Sequence, residues 1–177
     1  QGGEMWLASV GRGPGSCPGG VCSQWRTSLW LTNTGATSTN VELAFLPRGQ
    51  ANPSPQTATV VVPAASTVAI ADLFSTTFHL DGVFGALRIR TNGIVAAHAR
   101  IYDSNVPTSK GTGGAGQDVP AVLYDNAIAS GQYTIVPCAA QDAGGASRTN
   151  FAMVEVQGKA CNVHAELVEE TNNGVLG

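Results

Sequence analysis

The 177 residues give enough chain for one well-cored domain, or for a domain plus part of another. Hydrophobic residues make up 43% and charged residues only 12%, about half the ~25% usual in soluble domains. A net charge of -3 excludes the clustered cations that nucleic-acid phosphates require, and no apolar run approaches the ~20 residues of a membrane span.

The chain opens on Gln1, as expected after removal of an N-terminal segment such as a secretion signal. Residues 5–10 read as a leading strand, followed by a loop bounded by Cys17 and Cys22. Leu29 and Leu31 share one face of the next strand, with Trp30 on the other. A polar turn through Thr34, Gly35, Ala36 and Thr37 leads to Val41, Leu43 and Phe45, so an antiparallel hairpin is expected here. Residues 57–62 and 67–73 are rich in β-branched side chains and are separated by Pro63, with a helical turn expected at Asp72, Leu73 and Phe74. Residues 83–90 and 94–102 follow, joined at Asn92 and Gly93, a strong hairpin signal. About seven strands with frequent turns and no long amphipathic helix predict an all-β fold, an immunoglobulin-like antiparallel β-sandwich.

Laid on itself, the chain repeats. Arg26, Thr27, Leu29 and Leu31 match Arg148, Thr149, Phe151 and Met153, and at the same offset Asn40, Val41, Leu43 and Phe45 match Asn162, Val163, Ala165 and Leu167. Residues 133–137 correspond to the leading strand. The expected organisation is therefore a complete sandwich repeat over residues 1–103 and a partial second repeat over 132–177. Between them, residues 104–131 read as a glycine-rich, mobile linker, with an added edge strand over the apolar residues 119–124.

Several segments resemble those of bacterial secreted β-sandwich repeat proteins. They are Arg148-Thr149-Asn150-Phe151, Val62-Pro63-Ala64-Ala65-Ser66-Thr67, Gly85-Ala86-Leu87-Arg88-Ile89 and Ala99-Arg100-Ile101-Tyr102. The pattern is similar, more distantly, to the fold of sensory rhodopsin transducer-like proteins. These are structural residues, so the resemblance informs fold and carries no catalytic motif across.

Four cysteines permit three pairings, and the local ones, Cys17 with Cys22 and Cys138 with Cys161, are the most economical. Disulfides imply an oxidising compartment, hence a secreted, extracellular or cell-surface protein. The rival is metal binding, but no close Cys/His pairs are present. His79, His98 and His164 are widely separated. The Gly111 to Gly116 segment formally matches GxGxxG, but a dinucleotide site needs that turn between a parallel strand and a helix, and here Gln117, Asp118, Val119 and Pro120 follow. No nucleophile elbow or calcium loop occurs, so neither an enzyme nor a metal or other cofactor is expected.

One outward constellation remains. If Leu87 and Ile89 face the core, Arg88 and Arg90 face outward, and across the expected hairpin His98, Arg100 and Tyr102 share a face. This stripe, with Trp30 nearby, suits a carboxylate, a sulfate or an acidic sugar. The alternative is a solvated face neutralised by Glu42 or a loop aspartate.

A half-sandwich leaves an apolar face and open sheet edges. Three coverings compete: the rest of a longer multi-repeat protein, strands from a neighbouring subunit, or packing on the first repeat. The leading expectation is a structural subunit of an extracellular filament or surface layer, self-associating by β-strand addition. The runner-up is an adhesion or carbohydrate-binding module.

Overall fold

A computed structural model describes residues 3–109, 111–137 and 149–168. The protein is mostly β, with one large antiparallel sheet of nine strands: β1 Gly3–Pro14, β2 Gln24–Asn33, β3 Thr39–Pro47, β4 Gln56–Val62, β5 Ser66–Ile70, β6 Val83–Thr91, β7 Val95–Thr108, β8 Gly111–Pro120 and β9 Val122–Leu123. The order is β4-β3-β6-β1-β2-β7-β8, with β5 on β2 and β9 on β1. Among the described residues no helix is long and apolar enough to cross a membrane.

Strand β1 joins two arms of the sheet. Its first ten residues pair with β6, from Gly3 opposite Thr91 to Arg12 opposite Val83. Its last two then pass to β2. A bulge between Leu7 and Val10 returns both side chains to the core, where strict alternation would have turned one outward. One apolar cluster draws on both arms, taking Leu43, Leu87 and Ile89 from one side and Leu29, Leu31, Ala99 and Ile101 from the other.

Both expected hairpins are absent as pairings. β2 pairs with β1, β5 and β7, and β3 pairs with β4 and β6. Likewise β6 pairs with β1 and β3, while β7 pairs with β2 and β8. Each turn instead carries the chain from one arm to the other. Alternation reports which face a strand buries, and that requirement is met equally by a lateral neighbour or by an apolar face across the core.

The crossing turns meet at Asn33, whose side chain is almost fully buried at the end of β2. Its amide nitrogen donates to the carbonyls of Thr37 (2.8 Å), Val62 (3.1 Å) and Pro63 (3.1 Å), and its oxygen accepts from the Gly35 N–H (2.9 Å). The Ala65 N–H donates to the Gly35 carbonyl, and the Thr34 N–H donates to that of Ile94. At the opposite end, a π-helical turn Phe74–Phe78 places Phe74 edge-on to Phe45 at 4.8 Å between centroids. Asp72 precedes that turn and ties it to the sheet, lying 3.2 Å from Arg12 and 3.4 Å from Arg26.

The glycine-rich segment expected to be a mobile linker is strand β8. It pairs with β7 from Thr108 opposite Gly111 to His98 opposite Pro120. A Cβ on Gly116 would collide with Tyr102 and the Ile101 carbonyl, so glycine here permits close strand approach. The apolar residues after it add only the two-residue β9.

The segments matching the leading strand and the hairpin of the first copy behave differently. Residues 132–137 and 149–167 form no strand, and a single bridge is made at Val168. A turn at Gln157, Gly158 and Lys159 separates the two matching segments of the second copy, closed by Glu155, which accepts from the Gln157 and Lys159 N–H groups at 2.7 and 2.8 Å.

Replacing Asn33 by Ala removes the amide donor to the Thr37, Val62 and Pro63 carbonyls and the acceptor of the Gly35 N–H, and should cost about 1–3 kcal/mol. Asn33→Asp, which retains the acceptor for Gly35 but cannot donate, should destabilise as much. Urea unfolding midpoints check both.

Candidate functional site

The outward face of β2, β7 and β8 gathers four of the residues expected to share a site. Register places Trp30, His98 and Pro120 in one row, Ser28, Arg100 and Asp118 in the next, and Arg26, Tyr102 and Gly116 in the third. The rings of Trp30 and His98 stack at 4.7 Å with an interplanar angle of 22°. The Arg100 guanidinium sits 5.3 Å from the centre of the Tyr102 ring. His98 Nε2 lies 3.6 Å from Asp118 Oδ1. Arg100 forms no ion pair among the described residues.

Alternation explains why these side chains point outward, since Leu29, Leu31, Ala99 and Ile101 occupy the core positions between them. Ala69 on β5 stands opposite Trp30, so a small side chain flanks the indole on the side away from His98. The face is open and mixed in charge, with an exposed His98 stacked on a half-buried Trp30 and a cation held over a phenol ring. Such a surface offers stacking and hydrogen bonding to a polar ligand.

Arg88 and Arg90 do not join it. They lie on β6 in the other arm, because β6 and β7 are not paired. There Arg90 Nε contacts Glu4 Oε2 at 2.6 Å, and Arg88 lies 3.7 Å from Glu42 Oε1. Glu4 also accepts from the Trp6 indole N–H at 2.8 Å. Both arginines thus belong to a local charge network, as in the neutralised alternative. Glu42 was legible as a partner; Glu4 was not, because only the β1–β6 register brings it opposite Arg90.

Cys17 and Cys22 form a disulfide, closing the loop before β2. Cys161 is an exposed free thiol, and Cys138 lies outside the described residues. Among the described residues no group of three or more His, Cys, Asp or Glu comes together as a metal site. Shallow, open grooves are present among the described residues. One runs between the edges of β4 and β5 and is lined by Ala58, Val60, Ile70 and Thr76.

No protein-family model and no curated protein matches the chain. The crystal structure of Thermotoga maritima 1070 is similar in part, with a TM-score of 0.47 and 13% identity, over 66% of this chain and 91% of that one.

The Trp30–His98 stack should be measurable. A double-mutant cycle with Trp30→Ala and His98→Ala is expected to give a coupling of about 0.5–1.5 kcal/mol in unfolding free energy. Arg90→Ala should cost under about 1 kcal/mol, as expected for a half-exposed pair.

Proposed function

We propose that this chain is a non-enzymatic, extracellular structural subunit that assembles with further copies through its sheet edges. In this reading the two arms joined by β1 form a β-sandwich over residues 1–103, supplemented by β8, and residues 132–177 supply strands of a second, partial repeat. The Cys17–Cys22 disulfide supports an oxidising compartment.

One observation carries the reading. The strand-patterned residues after β9 present their apolar side chains to solvent, with Phe151 57%, Met153 66%, Val163 62% and Leu167 47% exposed, while among the described strands β4 and β5 each keep one edge unpaired. Alternating apolar residues and open edges are complementary needs, and strand addition satisfies both. Low net charge leaves little to oppose it.

Sedimentation velocity over a range of concentrations is expected to show reversible species larger than one chain. A single monomeric boundary at every concentration would remove the assembly reading and favour a segment of a longer multi-repeat protein.

A second reading, adhesion to carbohydrate, is supported by the gathering of Trp30, His98, Arg100 and Tyr102 on one open face. Glycan-array binding, if this face is used, should fall at least tenfold in Arg100→Ala and be unchanged in Arg90→Ala, which lies in the other arm.

A further inference from the structure

We propose that the outer edge of β4 is the acceptor for residues 162–168 of a second copy, so that subunits join head to tail. This rests on the self-assembly reading above and names the two surfaces involved.

The acceptor is defined by what it lacks. Among the described strands, β4 (Gln56–Val62) pairs with β3 alone and β5 (Ser66–Ile70) with β2 alone, so two edges that no described strand covers flank the shallow groove. Along β4, Ala58 and Val60 stand opposite Leu43 and Val41, on the core side, yet remain only half-buried. Ile70 of β5, opposite Leu29, is likewise half-buried. The core is thin along this flank, and Ala58 leaves room above it for a larger side chain. Edge strands are ordinarily blunted by charge, proline or bulges. Neither β4 nor β5 contains a charged residue, a glycine or a proline, and no bulge interrupts either. The other long edge, β8, carries three glycines in its middle, then Asp118 and Pro120.

The donor is defined by pattern and by geometry. Residues 162–168 match in sequence the part of β3 that begins at Asn40, and β3 is the strand that β4 already pairs with on its inner side. Val163, Ala165 and Leu167 alternate with His164 and Glu166. The His164 Nε2 and Glu166 Oε1 atoms lie 3.0 Å apart, so these two side chains share a side of the backbone, as residues two apart do in an extended strand. That leaves Val163, Ala165 and Leu167 as the opposite, apolar face, and Val163 and Leu167 are exposed. Seven residues match the seven of β4. Inserted beside it, the apolar face would cover Ala58, Val60 and Ile70, while the polar pair stayed in water. Because donor and acceptor lie at different places on each copy, the contact is heterologous and does not close on itself in a dimer.

The test uses the full chain in a Cys138→Ser, Cys161→Ser background, so that thiol oxidation cannot mimic assembly. The donor-blocked form carries Val163→Asp and Leu167→Asp. The acceptor-blocked form carries Ala58→Lys, an inward charge on the edge, with Val61→Lys on the solvent face of the same strand used if Ala58→Lys lowers the unfolding midpoint. Each blocked form alone should raise the association midpoint in sedimentation velocity at least tenfold. Mixed, they should form 1:1 dimers and nothing larger, since one intact donor meets one intact acceptor. If the parent protein assembles and the blocked forms assemble equally well, the edge assignment is overturned and self-assembly stands. A parent protein that stays monomeric overturns both.

Discussion

The carboxamide of Asn33 occupies the place where three turns converge, and the arrangement of the strands depends on it. The β2–β3 turn, the β4–β5 turn and the β6–β7 turn all carry the chain between the two arms of the sheet, and all three end near this residue. Backbone groups in crossing turns lose the ladder partners that a hairpin would give them, and burial makes that loss expensive. One side chain with both donors and an acceptor supplies four of the missing bonds. An aliphatic residue of the same size could fill the volume but would take away the amide donor to those carbonyls and the acceptor of the Gly35 N–H.

At the opposite end closure is apolar and ionic. Phe45, Phe74 and Phe78 pack against one another beneath the π-helical turn, and Asp72 links that turn to arginines on β1 and β2. The two ends therefore use different physics: a polar clasp where backbone must turn inside the protein, and an aromatic plug where a short helix lies over the core. The long flanks are left to the edge strands. β8 meets solvent with glycine, aspartate and proline, whereas β4 and β5 meet it with threonine, alanine and valine. That asymmetry gives the molecule one flank suited to pairing and one that discourages it.

The outward faces of the two arms also differ. One holds a compensated network of Glu4, Glu42, Arg88 and Arg90, and the other holds stacked rings and an arginine lying over a tyrosine. Charges that satisfy each other contribute little to recognition. The second face keeps a cation that, among the described residues, forms no ion pair and lies beside aromatic surface, which is why it is the better ligand candidate of the two.

Alternation along the chain by itself determined the β class, the position of most strands and the core side chains of each, because a strand's inward and outward faces are set by a period of two. The short spacing of Cys17 and Cys22 made their pairing the most economical of those open to the chain, and the structure contains that bridge. Neighbour relations were decided by tertiary structure alone. The signal at Asn92–Gly93 marks a reversal of the chain, but a reversal within a sheet and a crossing between arms use similar residues, so Arg88 and Arg90 could not be separated from Arg100 in advance. Gly116 reads as flexibility in the sequence, whereas in the fold Tyr102 and the Ile101 carbonyl occupy the space that a Cβ would take. The bulge after Leu7 left no mark in the pattern, since it exists only to keep Val10 in register with a core built by distant strands.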